Sequence, residues 1–263
     1  MKAVLAACLL AICLAGKAQA PDQATAHAPD GGTIMRIQSI AIFPLTGAPF
    51  SATVNTESTR ILADGSTATE KNRRIVARDS SGRIFQQRVL FSPQGDTDPV
   101  RIRALQYQDP IRHELYDCIV AEKTCYATKY LKPAMAEMPA GIGGLQVCGC
   151  ATAHRPGLTI TQEALGQKTI EDVEATGSRE ITTLPAGQIG NNKPEPIVKE
   201  FWYSPRLGIN LVTMRFDPLS GSENFVVNHV SLDEPDPKLF EPPSTYQIIR
   251  QMVERPATAQ AAR

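Results

Sequence analysis

Four cysteines are the residues of this chain best suited to chemistry. They form two pairs, Cys118 with Cys125 and Cys148 with Cys150. Four thiolates could bind Zn²⁺, with His154 close to the second pair, but their spacing does not match the two to four intervening residues of common zinc modules. Disulfides are the better interpretation in an oxidising compartment. We therefore predict no metal site and no cofactor.

The two cysteine pairs differ in what they could do. Cys118 and Cys125 flank a polar turn, and facing residues of a hairpin bring their Cα atoms to about 5.5 Å or less, which a disulfide accepts. A bridge between Cys148 and Cys150 would close a small, strained ring that is easily reduced, so this pair could be a redox site. An ordinary bridge, or a link to the first pair, is the alternative for these two cysteines.

The remaining motifs do not indicate an enzyme. The sequence lacks a Gly-x-Ser-x-Gly elbow, a His-Glu-x-x-His motif and a phosphate-binding loop. The acidic pairs Glu171-Asp172 and Asp233-Glu234 lie at predicted turns, where carboxylates are solvated, so neither is interpreted as a glycosidase pair. We predict a protein that is not an enzyme, with no catalytic residues.

Composition and charge favour a globular β-rich protein. Of the 263 residues, 42% are hydrophobic and 21% are charged, and the formal net charge is zero, which excludes a broad electrostatic footprint for nucleic acid. The 20 prolines and 18 glycines favour many turns over long helices. The basic stretch 71–78, with Arg73, Arg74 and Arg78, has no stacking aromatic residues and is interpreted as a solvated strand face. We predict no nucleic-acid partner.

The N-terminus has the pattern of an export signal. Residues 1–20 combine a positive n-region, an apolar h-region and the small-residue site Ala18-Gln19-Ala20. Pro21 would follow that cut and hinder the peptidase, so Ala24-Thr25-Ala26 is the fallback. Leu5-Ala6-Ala7-Cys8 resembles a lipoprotein acylation box but has too few residues before it. We predict a signal peptide at 1–20, a periplasmic or extracellular protein, and no transmembrane segment.

One folded domain is predicted after the signal peptide. Residues 21–32 are predicted to be a disordered linker, residues 33–254 a single β-rich domain, and residues 255–263 a disordered tail. Residues 132–157 are rich in Pro, Ala, Gly and Met and are interpreted as a flexible loop or an insertion within the domain.

Strand-like segments alternate with turn signals through most of this domain, and no helical pattern lies between them. This arrangement predicts an antiparallel meander. The predicted strands are 53–59, 69–78, 83–91, 101–107, 159–164, 167–170, 173–184, 197–204, 209–216 and 224–232.

Two further segments are ambiguous. The apolar residues of 111–120 have helical spacing, but the polar turn between Cys118 and Cys125 favours a hairpin. Residues 244–254 fit either a helix with a capping box that begins at Ser244 or a last edge strand at 246–249.

Three motifs in the C-terminal half resemble a group of uncharacterised secreted bacterial proteins. They are Leu165-Gly166-x-x-Thr169-Ile170-Glu171-Asp172-Val173, then Glu200-Phe201-Trp202-Tyr203-Ser204-Pro205, then Pro235-Asp236-Pro237-x-x-Phe240-x-x-Pro243-x-x-Tyr246. The last two also resemble outer-membrane lipoprotein carriers of the LolA/LolB type and the envelope-stress regulator of the RseB type. This resemblance implies a mainly β fold, a curved antiparallel sheet in the form of a half-open barrel, here with few short helices.

The resemblance also implies a function, because members of that superfamily bind acyl chains or lipoproteins. We expect an exported envelope protein that holds an apolar ligand, a lipid or an acylated protein on the concave face of its sheet. The alternatives are a structural or protein-interaction module without a small ligand, and a thiol-redox protein that uses Cys148 and Cys150. Four aromatic residues are predicted to be structural anchors: Trp202, Tyr203, Phe240 and Tyr246.

Overall fold

The computed structural model describes His27 and residues 40–93, 100–130 and 158–251. The predicted signal peptide, the flexible loop at 132–157, the disordered tail, and Cys148 and Cys150 all lie outside these residues. So does the predicted linker, apart from His27.

Thirteen strands and one 3₁₀ helix, Pro237–Phe240, make up the regular structure of the described residues. The strands are β1 (Phe50–Ile61), β2 (Thr67–Arg78), β3 (Ile84–Val89), β4 (Ser92–Pro93), β5 (Ile102–Asp109), β6 (Glu114–Ile119), β7 (Thr124–Lys129), β8 (Thr159–Ile170), β9 (Val173–Leu184), β10 (Glu195–Ser204), β11 (Ile209–Asp217), β12 (Gly221–Ser231) and β13 (Gln247–Gln251).

All thirteen strands belong to one open sheet. Its order is β13-β7-β6-β5-β3-β2-β1-β12-β11-β10-β9-β8, with β4 paired to β2. The predicted mainly β fold with a half-open antiparallel sheet is confirmed. Two meanders, β1 to β7 and β8 to β12, meet where β1 pairs with β12, a long-range pairing that turn signals could not predict.

Turn chemistry explains several of the hairpins. Glu171 and Asp172 have φ of 49° and 59°, the left-handed conformation that a two-residue turn between β8 and β9 requires. Glu171 also accepts a hydrogen bond from the backbone N–H of His229 at 2.8 Å, so this acidic pair has a structural role. The two strands predicted at 159–164 and 167–170 are one strand, β8, because a bulge beside Gly166 shifts the register by one residue and lets the pairing with β9 continue.

Both ambiguous segments are strands. Residues 114–129 form the β6–β7 hairpin, and Cys118 pairs with Cys125 in the register and forms a disulfide with it, as predicted. Residues 247–251 form an edge strand, β13, which runs parallel to β7. The helix alternative for this segment is wrong.

The sheet has two faces, which the strand pairings define. Residues directly opposite one another across a pair share a face, and successive residues alternate between faces. We call the face that carries Asn72, Arg74 and Val76 of β2 the groove face, and the face that carries Ala77 the outer face.

On the outer face, residues 237–246, here called the C-terminal segment, cover the strands from β2 to β7. Leu239, Phe240 and Tyr246 of this segment pack against a cluster of buried residues that includes the disulfide: Ala77, Phe85, Tyr107, Tyr116, Cys118, Cys125 and Ala127. The guanidinium of Arg83 lies 5.2 Å from the centre of the Phe240 ring. Apolar burial and this contact hold the segment around Phe240 against the sheet.

The arginines of β2 occupy three different environments. Arg73 is exposed, Arg74 is 4% exposed, and Arg78 is fully buried. Arg78 donates hydrogen bonds to the carbonyl oxygens of Phe43, Ala48 and Leu207. The interpretation of this stretch as a solvated strand face is therefore wrong for two of the three arginines, because β2 is a central strand with both faces partly covered.

Candidate functional site

A groove of about 1110 Å³ lies on the groove face. Residues from β6, β5, β3, β2, β1, β12 and β11 line it, in the order of the sheet. Strands this far apart can line one volume only if the sheet curves around it. The groove face is therefore the concave face, where the resemblance places a ligand.

The groove has a mixed lining, whereas the apolar ligand expected from the sequence would favour a mostly apolar one. Apolar side chains come from β3, β5, β6 and β12 and from the link between β3 and β4: Val89, Leu90, Phe91, Ala104, Ile119 and Phe225. Charged side chains are five arginines and three acids: Arg60, Arg74, Arg88, Arg103, Arg215, Glu70, Asp117 and Glu223. Such a surface suits a molecule that is part apolar and part charged.

Two arginines lie on neighbouring strands of the groove floor. Arg74 lies on β2 and Arg88 on β3, near enough for the charge of Arg88 to act on Arg74. Arg74 donates to the side-chain oxygen of Gln86 at 3.2 Å, and Arg88 donates to that of Gln106 at 2.5 Å. Both of these acceptors are neutral amides.

The environment of these guanidiniums disfavours their charge. Burial, followed by the positive charge of Arg88, lowers the pKa of Arg74 to about 10. Burial also lowers the pKa of Arg88, although the nearby Asp117 acts in the opposite direction. The fold therefore holds two like charges close together at a cost in free energy.

Charged side chains also form a row across β9 to β12 on the groove face. Lys199 pairs with Glu180 on one side and Arg215 on the other, and Arg215 pairs with Glu223. Lys199 is 7% exposed and Arg215 is 4% exposed. Arg215 forms a 2.5 Å ion pair with Asp217. Two positive charges therefore lie side by side in this row, and the acids at its two ends, together with Asp217, offset them.

Polar atoms without partners lie beside this row. Among the described residues, the buried side-chain atoms that lack a hydrogen-bond partner are Asn72 Oδ1, Ser178 Oγ, Thr213 Oγ1 and Arg215 Nε. The strand pairings place all four residues on the groove face. Buried polar groups are normally satisfied, and exceptions are common where a ligand or water binds. Asn72 and Arg215 line the groove itself.

His27 lies on the same face, at the β9–β10 end. Its ring stacks on Phe201 with centroids 3.8 Å apart, and its Nε2 lies 3.1 Å from Oε1 of Glu180. This hydrogen bond is the largest effect on Glu180 and lowers the pKa of its carboxyl. Part of the segment predicted to be a linker therefore contacts the concave face.

A second hollow adjoins the groove towards β7 and β13. It has a volume of about 440 Å³ and shares Gln106 and Asp117 with the groove. Its other lining residues include Leu115, Tyr126 and Gln251. The concave surface available to a ligand therefore extends across most of the first meander.

The predicted anchors lie outside the groove lining. Trp202 pairs with Gly177 on the outer face, where a Cβ on Gly177 would come within 2.7 Å of the indole. The Trp202 Nε1 donates to Glu200 at 2.8 Å. Tyr203 is 4% exposed, and Phe240 and Tyr246 belong to the outer-face cluster. Of the disulfide candidates, the structure brings Cys118 and Cys125 together, fully buried.

The groove arginines were missed by sequence reasoning, although one signal was present. Arg74 and Arg88 lie on two successive predicted strands, 69–78 and 83–91, and a hairpin of these strands would bring both arginines into one part of the sheet. Interpreting the stretch 71–78 as a solvated face hid this juxtaposition. Arg103 could not be found in this way, because it lies at an irregularity in the β3–β5 pairing.

Two searches of the described part of the chain gave negative results. No group of three or more His, Cys, Asp or Glu side chains within it could hold a metal ion. No helix within it is long and apolar enough to cross a membrane.

Comparisons with known proteins found similarity at the level of structure only. No family model matches the sequence, and no curated protein matches it. Among solved structures, an uncharacterized conserved protein from Thermus thermophilus is 11% identical, with 78% of this chain and 91% of that chain covered and a TM-score of 0.33.

Two other solved structures are similar to this chain at the same low level of identity. A LolA superfamily protein from Nitrosomonas europaea is 12% identical, with 76% of this chain and 92% of that chain covered and a TM-score of 0.30. The Mycobacterium tuberculosis lipoprotein LppX is 13% identical, with 71% of this chain and 91% of that chain covered and a TM-score of 0.23.

Proposed function

We propose that this protein is a non-enzymatic binding protein that holds the acyl chain of a lipid or of an acylated protein in the concave groove. The observation that carries the proposal is the groove itself. Its volume of about 1110 Å³ reaches the upper end of the range that small-molecule sites occupy, about 300–1,000 Å³. It is also open along one side, so a long chain could enter without unfolding the sheet.

The apolar part of the lining supports an acyl ligand. Leu90 and Phe91 are 45% and 40% exposed and lie at the same groove as Ile119 and Phe225. When an apolar ligand covers large apolar side chains that were in contact with water, the complex is stabilised by about 25 cal/mol per Å² of apolar surface buried. A ligand is one way to recover that free energy.

Binding is tested with purified, delipidated protein and a fluorescent fatty acid, titrated by fluorescence and confirmed by native mass spectrometry. Ile119→Glu places a charge in the apolar lining and is expected to weaken binding at least tenfold. The matched control is Ile111→Glu, because Ile111 is 69% exposed and outside the groove. If the protein binds no acyl probe, or if both variants bind as the unaltered protein does, the proposal is wrong.

Export is the second part of the proposal and rests on the signal pattern at residues 1–20. We propose that the protein acts in the cell envelope, where acyl-bearing ligands are abundant. Fractionation of cells that express the chain with and without residues 1–20 tests this. Recovery of both forms in the cytoplasm would contradict the proposed location without affecting the binding proposal.

A further inference from the structure

The lining of the groove carries more positive than negative charge, with five arginines against three acids. Two of the arginines have close acidic partners: Arg60 pairs with Glu70 at 2.7 Å, and Arg215 pairs with Asp217. Arg88 and Arg103 line the groove from β3 and β5, which pair with one another, and Arg88 lies opposite Ala104, the residue after Arg103. Asp117 is the acid of the lining whose charge acts on Arg88.

Arg88 and Arg103 are held in a way that suits an anion. Arg88 is fixed by its hydrogen bond to the neutral amide of Gln106, so this bond sets its orientation without neutralising its charge. Arg103 is exposed at the groove, and no ion pair is found between its guanidinium and the described residues. Planar guanidiniums recognise phosphate through paired hydrogen bonds, and several of them can share its oxygens.

The repulsion between Arg88 and Arg74 opposes the stability of the groove without a ligand. Arg74 is only 4% exposed, and a second guanidinium beside it adds repulsion in a medium that screens charge poorly. Local arrangements that oppose stability are expected where a protein binds something. The nearby Arg215 Nε, which has no hydrogen-bond partner among the residues that the structure describes, adds a further donor at the same groove.

We propose that Arg88 and Arg103, supported by the charge of Arg74, form a subsite for the phosphate of an acyl-bearing ligand, with the acyl chain along Ile119 and Phe225. This inference rests on the proposed function and specifies the class of ligand: an anionic phospholipid or another phosphorylated amphiphile. Free phosphate shares the same chemistry, so the experiment separates the two sources.

The test compares three probes by isothermal titration calorimetry on the delipidated protein at low ionic strength. They are 1-palmitoyl lysophosphatidic acid, 1-monopalmitoylglycerol, which has the same chain without phosphate, and inorganic phosphate. One charge-assisted hydrogen bond contributes about 1.5–3 kcal/mol, so we expect the phosphorylated lipid to bind at least tenfold more tightly than the monoglyceride. This advantage should shrink as salt is added.

Variants locate the effect. Arg88→Gln and Arg103→Gln should each remove about tenfold of the affinity for the phosphorylated lipid and leave the affinity for the monoglyceride unchanged. Arg112→Gln is the matched control, since the side chain of Arg112 is 74% exposed and lies outside the groove. In the absence of ligand, the melting temperature of Arg88→Gln should be no lower than that of the unaltered protein, because the substitution removes the repulsion between Arg88 and Arg74. Arg103→Gln, at an exposed position, tests the proposal if Arg88→Gln fails to fold.

Each outcome has a distinct meaning. If both lipids bind equally and the arginine variants change neither, the phosphate subsite is wrong and the proposed function stands. If inorganic phosphate binds as tightly as the phosphorylated lipid, the lipid source is wrong. If neither lipid binds, the proposed function fails, and the inference fails with it.

Discussion

Phe240 offers the sharpest test of how the C-terminal segment is held. Its side chain is 7% exposed in the outer-face cluster, and Arg83 lies over its ring. A buried aromatic side chain removes about 150–250 Å² from water, which at about 25 cal/mol per Å² is about 4–6 kcal/mol. After a discount of about 10–40% for burial in the unfolded chain, Phe240→Ala should lower the free energy of unfolding by about 3–5 kcal/mol, in line with measured Phe→Ala substitutions.

The assay is urea unfolding followed by tryptophan fluorescence, with hydrogen exchange of β13 and β7 as a local readout. Phe216→Ala is the matched control, because Phe216 is 50% exposed and should cost less than half as much. Since the segment that contains Phe240 leads directly into β13, faster exchange should appear first in β13. A loss below about 1 kcal/mol for Phe240→Ala, or equal losses for the two variants, would refute the anchoring role.

Three further predictions concern stability. Replacement of Cys118 and Cys125 by Ser should lower the free energy of unfolding by about 2–3 kcal/mol, the loop-entropy value for a crosslink this short, measured by thermal melts with and without reductant. Gly177→Ala forces a Cβ to within 2.7 Å of Trp202 and should cost about 1–3 kcal/mol; Gly177→Ala in a Trp202→Phe background should cost less, because the contacting ring atoms are removed. Burial acts to raise the pKa of Asp217, but hydrogen bonds and its arginine partner outweigh burial and lower the pKa below its ordinary value. Its contribution to stability is therefore present above about pH 4 and is lost as the pH falls below that value. Asp217→Asn should flatten acid unfolding curves in that range and destabilise the protein at pH 7; a steep acid transition unchanged in the variant would contradict this.

Much of the fold can be predicted from the sequence because local signals dominate its hairpins. The strand predicted at Val173–Leu184 has the bounds of β9, since Glu171-Asp172 gives a strong turn signal and β-branched Val, Ile and Thr residues recur along the strand. The disulfide hairpin follows from two cysteines around a polar turn. The bulge in β8 is not visible in this way, because Gly166 looks the same in sequence whether it ends a strand or bends one.

Long-range features of the site could not be predicted in the same way. The pairing of β1 with β12 joins residues far apart in the sequence, and no local pattern encodes it. The parallel pairing of β13 with β7 likewise depends on the path of the preceding residues across the sheet, and the strand propensity of Gln247–Gln251 does not determine it. The groove is bounded by strands of both meanders, so its charged lining emerges only after these pairings are known.

The pairing of β1 with β12 has a consequence for how the chain acquires its fold. Each meander can form through the pairing of strands that are close in sequence. The pairing between the two meanders, however, can form only when residues near 231 are available to Phe50–Ile61. Closing such a long loop is slow, because the chain loses conformational entropy before the contacts between β1 and β12 form and offset that loss. Until then both β1 and β12 present an unpaired strand edge, which is open to association with other chains. A chaperone that shields β1 during synthesis or passage across a membrane would therefore protect this protein at its most vulnerable stage.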